Sequence, residues 1–253
     1  MSLAPQPRLV SLVPSQTELL FDLGLDEEVV GITKFCIHPA DKVARKPQVG
    51  GTKNVQIEQV RALQPTLIIA NKEENTRADV DALRAIAPVH VTDVVTLPDA
   101  YAMIREVGQL VGRSAQANQL AEQIEASLEG LARNVPNGRR PRVTYLIWRK
   151  PWMVATADTF IDAMLSQAGC DNAFASQTRY PVVSADELAA AQPDWVFLSS
   201  EPYPFKEKHI IELKAICPMA RIRLVDGELF SWYGSRLLES ATYLSSFFPY
   251  FTE

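Results

Sequence analysis

The sequence predicts an α/β protein made of two similar lobes, each built on a parallel sheet. Three observations predict it. Residues 58–73, EQVRALQPTLIIANKE, match residues 186–201, DELAAAQPDWVFLSSE, at a constant spacing of 128 positions. In both, an acidic Ala/Leu-bearing helical stretch runs into Gln-Pro, an apolar run follows, and a polar turn ends in Glu. Two copies are too few for a solenoid, which needs about three. They point instead to two lobes, with the space between them as the natural ligand site. The second observation is the alternation of β-branched runs with helical stretches, which places helices on the faces of parallel sheets. The third is the long periodic stretch Ala115–Arg133. At about 1.5 Å per residue it reaches about 30 Å, enough to join two small lobes.

The elements follow in order. Arg8–Val13 is apolar and β-branched, a buried strand ended by Pro14. Ser15-Gln-Thr-Glu18 has the capping-box pattern, so a helix is expected over 16–23, closed by Gly24. Glu28–Thr33 reads as a strand, and 36–53, with Pro39, Pro47, Gly50 and Gly51, as a loop. The first repeat copy supplies a helix over 55–63 and a strand over 67–70. Asn75–Ala87 reads as a helix and Val89–Val91 as a strand. Ala100–Val111 and Ala115–Arg133 both show helical periodicity; in the second, Leu120, Ile124, Leu128 and Leu131 fall near one face. Beyond Pro136 and Gly138, Arg142–Trp148 is a strand and Phe160–Ala168 a helix stopped by Gly169. Ser184-Ala-Asp-Glu187 is a second capping box, opening the second repeat copy. Lys206–Ile216 is helical, Ile222–Val225 a strand and Ser235–Phe248 a terminal helix. The expected division is an N-terminal lobe over 8–112, a connecting helix over 113–135 and a C-terminal lobe over 141–253.

Composition narrows the function. A formal charge of −5 with no basic stripe argues against nucleic-acid binding, and Arg139-Arg140-Pro141-Arg142 reads as a solvated loop. No run of about 18 apolar residues predicts a membrane-spanning helix. Met1–Pro7 has neither a charged nor an apolar leader region, so no signal peptide is read there. Three widely spaced cysteines, Cys36, Cys170 and Cys217, form no disulfide framework. No phosphate-binding glycine loop and no Gly-x-Ser-x-Gly elbow occurs, and His38, His90 and His209 are scattered, so no enzyme is expected.

Candidate binding residues cluster after strand ends, where open α/β sheets take ligands. Trp148, Trp152, Tyr180, Trp232 and Tyr233 offer flat faces for a planar ligand. Arg236, Arg179 and Lys53 would meet its carboxylates, amides or phosphate. Cys36-x-His38 is a possible metal pair, lying in the loop after the second strand. His90 reads as a core residue and His209 as exposed on a helix. Glu73 and Glu201 occupy equivalent repeat positions, a pair of anionic knobs suited to a two-fold basic partner.

The chain resembles the substrate-binding proteins that serve ABC importers of cobalamin, haem and iron–siderophores. The resemblance is carried by RLVSLVPSQTE at 8–18, the Gly50–Ala70 segment, FIDAMLSQAGCDNAF at 160–174 and Pro181–Ser199, and covers nearly the whole chain. It implies two Rossmann-like lobes with parallel sheets joined by a single long helix, with the ligand cleft between them. It implies a monomeric, extracytoplasmic binding protein with no intrinsic cofactor, handing its ligand to a permease dimer. Trp148 and Trp232 look like the cleft aromatics of the cobalamin-binding members. The docking acids would be Glu73 or Glu74 on one lobe and Glu201 or Glu207 on the other. A haem or ferric-siderophore receptor of the same fold is the alternative. From a different class, a cytoplasmic metal-chelate-handling protein would use Cys36 and His38. A two-lobe protein acting only through partners is a third reading.

Overall fold

The computed structural model describes residues 7–251. Met1–Gln6, most of the stretch read for a signal peptide, and Thr252–Glu253, the end of the expected C-terminal lobe, lie outside the described residues. The chain divides into two compact units. One holds the residues up to Val94, Pro98–Glu122 and Tyr233–Arg236; the other holds Val95–Leu97, Gln123–Trp232 and the residues from Leu237 on.

The first unit contains, in chain order, β1 (Leu9–Ser11), α1 (Pro14–Asp22), β2 (Val29–Ile32), α2 (Ala40–Val43), β3 (Gly50–Gly51), β4 (Asn54–Val55), α3 (Ile57–Ala62), β5 (Leu67–Asn71), α4 (Arg77–Leu83), β6 (Val89–Thr92) and most of α5 (Leu97–Leu110). Its main sheet has the order β2-β1-β5-β6 and is parallel throughout. Val10, Leu12, Val49, Val60, Ile68, Ala70 and Leu83 form one packed core there. Helix α6 (Ser114–Arg133) starts in the first unit and ends in the second. Its Ala117, Ala121, Ile124, Leu128 and Leu131 are buried at helical spacing.

The second unit continues with β7 (Arg142–Trp148), β8 (Trp152–Ala155), α7 (Phe160–Gln167), β9 (Asp171–Asn172), β10 (Val182–Val183), α8 (Ala185–Ala190), β11 (Trp195–Ser199), α9 (Glu207–Ile216), β12 (Arg221–Val225), α10 (Glu228–Ser231), α11 (Leu237–Ser245) and α12 (Phe248–Phe251). Strands β7, β9, β11 and β12 pair in parallel. Antiparallel β8 joins β7, and β10 joins β8. Those two strands went unread in the sequence because each is short and follows a Pro. The core includes Leu146, Val154, Leu188, Val196, Leu198 and Leu213.

The sequence repeat is a repeat of bonds. Arg8 donates through its Nε and a terminal nitrogen to Leu63 O, at 2.9 and 2.6 Å; Arg142 donates to Ala191 O, the equivalent carbonyl, at 3.2 Å. Arg8 N reaches Thr66 Oγ1 at 2.9 Å and Arg142 N reaches Asp194 Oδ2 at 2.7 Å. Thr66 N and Asp194 N return to Arg8 O and Arg142 O at 2.8 and 2.9 Å. Gln64 and Gln192 share a left-handed backbone, φ 48° and 45°, just before the paired prolines. In each unit an arginine at the start of the first strand therefore ties a helix end to the neighbouring strand.

Several local expectations change. α1 begins at Pro14, two residues earlier than the Ser15 capping box would place it, with Val13 as N-cap and no side-chain cap. Pro at the first helical position has φ preset and lacks only an N–H that would be unpaired there. The second box forms as expected: Ser184 N donates to Glu187 Oε2 at 2.7 Å and Glu187 N to Ser184 Oγ at 3.1 Å. Gly24 ends α1 at φ 75°, as its position predicted. Arg139, Arg140 and Arg142 are exposed, as a solvated loop would have them, and are also anchored: Arg140 donates to Ser166 O and Cys170 O, and Arg139 pairs with Asp194. His209, expected exposed, is buried, only 2% exposed. The expected terminal helix is broken into α11 and α12, with α10 preceding them.

Candidate functional site

In the first unit the carboxyl ends of β5 and β6 hold a buried polar network. Asn71, the last residue of β5, accepts from Glu73 N at 2.8 Å and Glu74 N at 3.2 Å, and donates to Thr92 O at 3.0 Å. Asn75 accepts from Asn71 N at 2.8 Å and donates to Thr52 O at 3.0 Å. Lys53 Nζ donates to Glu73 O. The structure thus brings together Lys53, Glu73 and Glu74. Both glutamates are half-buried. Burial pushes the Glu74 carboxyl up, the Lys53 cation opposes that, and the Glu73 charge adds to it.

Cys36 faces inward, 5% exposed. Its Sγ lies 3.1 Å from Thr17 Oγ1 and 3.3 Å from Thr33 Oγ1. Burial raises its pKa, with the two hydroxyls pulling the other way, so the group is a thiol at neutral pH rather than the thiolate a metal takes. His38 is half-buried in the same loop. Among the described residues, no group of three or more His, Cys, Asp or Glu side chains is placed to hold a metal ion. The flanking Phe35 and Ile37 face outward, 51% and 48% exposed. They went unselected in the sequence, although an apolar run, Phe35-Cys36-Ile37, inside an expected loop carried the signal.

Arg236 and Tyr233 belong to the first unit. Arg236 grips Glu18 with two bonds, at 2.9 and 2.6 Å, and both side chains are nearly buried. Burial raises the Glu18 carboxyl; the Arg236 guanidinium opposes it. Tyr233 is buried at 7%. These two candidates are therefore engaged inside the unit.

In the second unit the ends of β7 and β11 carry an aromatic group. Trp148, last in β7, is 39% exposed. Tyr203 meets its ring edge-on at 5.6 Å, and Phe205 meets Tyr203 at 4.8 Å. Trp152 stacks parallel to Phe205 at 6.4 Å. Arg149 lies 5.8 Å from the Trp152 ring centre and is held by Glu212 through bonds of 2.7 and 3.0 Å. Tyr180 is half-buried, with the Arg179 guanidinium 5.7 Å over its ring. Tyr203, Phe205 and Arg149 were missed, yet the strand-end rule that selected Trp148 applies equally to Tyr203-Pro-Phe205 after β11.

Glu201 and Trp232, chosen for different roles, touch each other. Glu201 Oε1 accepts from Trp232 Nε1 at 3.0 Å and from Ser231 Oγ at 2.7 Å. Trp232 is 6% exposed. A side chain at Gly227 would strike Ser199 Oγ at 2.3 Å and Glu201 Cγ at 2.8 Å, so this close approach needs Gly. Ser199 Oγ accepts from Glu201 N at 3.3 Å, as Asn71 does from Glu73 in the first repeat copy. Glu207 opens α9 and is exposed.

The family model described as periplasmic binding protein matches residues 9–215. An uncharacterised ABC transporter substrate-binding lipoprotein of Bacillus subtilis is 29% identical over 259 residues, spanning 96% of this chain and 80% of its own. A vitamin B12-binding protein of Vibrio parahaemolyticus is 23% identical over 197 residues, 77% of this chain and 71% of its own. Among solved structures, a periplasmic haem-binding protein from Roseiflexus sp. RS-1 in apo form superposes with a TM-score of 0.87 at 27% identity, covering 98% of this chain and 100% of that one. Such relatives are substrate-binding proteins, of transport in the Bacillus case. The chain belongs to the periplasmic binding protein family.

Proposed function

We propose that this protein is the substrate-binding component of an ABC importer, capturing a planar metal chelate, a corrinoid or haem, outside the cytoplasm. The observation that carries the reading is the Trp148 group: a large aromatic face, 39% exposed, kept in place by Tyr203 at a strand's carboxyl end. An exposed, braced indole suits stacking on a flat ligand. Phe35 and Ile37 in the first unit are exposed apolar faces of the same kind, and Lys53, Arg179 and Tyr180 supply polar contacts. The burial of Trp232, Tyr233 and Arg236 favours a supporting role for those three. Of the two ligands, the B12-binding relative favours the corrinoid, and the haem-binding structural neighbour favours haem. The buried thiol of Cys36 disfavours direct metal handling with His38.

Delivery to a permease would use Glu73 and Glu74 on the first unit, and Glu207 with Glu201 on the second. Glu207 is the more available of the latter pair, because Glu201 serves Trp232 and Ser231.

The test is a visible absorbance titration of the purified protein with cyanocobalamin, cobinamide and haemin in parallel. A saturable shift with one class assigns the ligand, and no response to any of the three sinks the corrinoid-or-haem reading. Trp148→Ala should weaken the responding ligand about tenfold, the scale of one lost stacking partner. Unchanged affinity would remove Trp148 from the site.

A further inference from the structure

His209 is the buried titratable group that the binding reading leaves unused. Its imidazole is fixed on four sides. Nδ1 accepts from Lys206 N at 2.8 Å, and Nε2 lies 3.3 Å from the Tyr203 hydroxyl. The rings of Tyr203 and Phe205 meet it edge-on at 5.6 and 5.4 Å. An Nδ1 that accepts a backbone N–H carries no proton, so the ring is neutral, with its proton on Nε2 directed to Tyr203. The groups facing it are Lys208 and Glu212 from α9, Lys206 from the preceding loop, Arg149 from the end of β7, and Tyr203 itself.

We propose that His209 is a positioning residue for the aromatic wall: neutral, it holds Tyr203 against Trp148; protonated, it gives up the Lys206 end of the loop, loosens Tyr203 and with it the bracing of Trp148. The reason is a bond count. A proton on Nδ1 turns the acceptor of the Lys206 N–H into a donor, so two N–H groups then face each other across 2.8 Å. The loop that carries Tyr203 begins beside β11 and ends at that N–H; within it Phe205 N keeps its bonds to Ser199 O at 3.3 Å and Tyr203 O at 2.9 Å, so the Lys206 end is the part set free. Burial first, then the positive charges of Lys208 and Arg149, hold the imidazole below the ordinary histidine value of 6.5, with Glu212 acting the other way. Release therefore belongs to pH below 6.5. Glu212 is itself held below the ordinary carboxylate value by Arg149. The inference deepens the binding reading and rests on it only for its link to capture.

The experiment is NMR on the ligand-free protein between about pH 4.5 and 7.5, a range spanning ordinary histidine titration. It follows the His209 ring carbons and the Trp148 indole N–H, assigned with Trp148→Phe. The expected result is one shared midpoint below 6.5, and a still Trp148 signal in His209→Gln. His209→Phe, which keeps an aromatic ring beside Phe205, takes its place if the first variant does not fold. A Trp148 signal that moves equally in the variant overturns the inference. So does one that stays still while His209 titrates, or a His209 that stays neutral until the protein unfolds. Haemin or cyanocobalamin titrations at the two ends of the range then read the link to capture. Loss of about twofold to tenfold affinity at the acid end, in wild type only, supports it. Unchanged affinity with a moving Trp148 keeps the latch and counts against Trp148 as a ligand face.

Discussion

Residue identity sets charge and reach, but its role depends on what surrounds it. Arg236 shows this. In the sequence it is a cation near two aromatics, suited to a ligand anion. In the fold it makes a two-bond pair with Glu18, with side chains 11% and 13% exposed. Truncating it strands a buried carboxyl. Arg236→Ala should cost about 3–5 kcal/mol, read from urea unfolding; a loss below about 1 kcal/mol, the worth of a surface pair, would contradict that burial. Trp232 and Glu201 make the same point together, since an expected ligand face and an expected docking acid are bonded to each other at 3.0 Å. No spacing rule in one sequence reveals such a bond, because the partners lie 31 positions apart and meet only through β11 and α10.

At the scale of elements, short-range chemistry was readable wherever one residue's own geometry decides. The Ser184–Glu187 box formed because both partners lie within one turn. Ser184→Ala should cost about 1 kcal/mol of stability, and an unchanged unfolding midpoint would show that the cap carries nothing. The Ser15–Glu18 box failed because Pro14 competes for the helix start and Glu18 is drawn to Arg236, 218 positions away. Asn71 is the hinge pin of the acidic turn after β5. Asn71→Ala leaves Thr92 O and the N–H groups of Glu73 and Glu74 without that partner, at about 1–3 kcal/mol if they stay buried. Amide exchange at Glu73 and Glu74 should quicken; unchanged exchange would mean the turn is held by Lys53 alone.

For the whole molecule, pH dependence follows from groups moved by burial. His209 is depressed below 6.5. Its contribution to stability is therefore complete above that value and is lost as pH falls from 6.5 through the lower folded value. Glu18 and Glu74 are raised from 4.5 and act oppositely, disfavouring the fold as pH rises through their shifted values. Urea midpoints of wild type and His209→Gln should therefore diverge below 6.5, with wild type losing more. A constant difference across that range would contradict the burial of a neutral imidazole.

The sequence by itself determined the two-lobed α/β plan, the long helix and the repeat, because these rest on periodicity, turn residues and local caps. The repeat proved deeper than its letters: Arg8 and Arg142, outside the matched segments, make equivalent bonds to Thr66 and Asp194. Only the tertiary structure decided which candidate side chains face outward. Trp148 ends a strand and Trp232 ends a short helix, and the sequence offers both for the same role, yet one is 39% exposed and the other 6%. The difference is a hydrogen-bond acceptor, Glu201, and a glycine small enough to let it approach. Burial of that kind depends on contacts between distant segments, which local pattern does not encode.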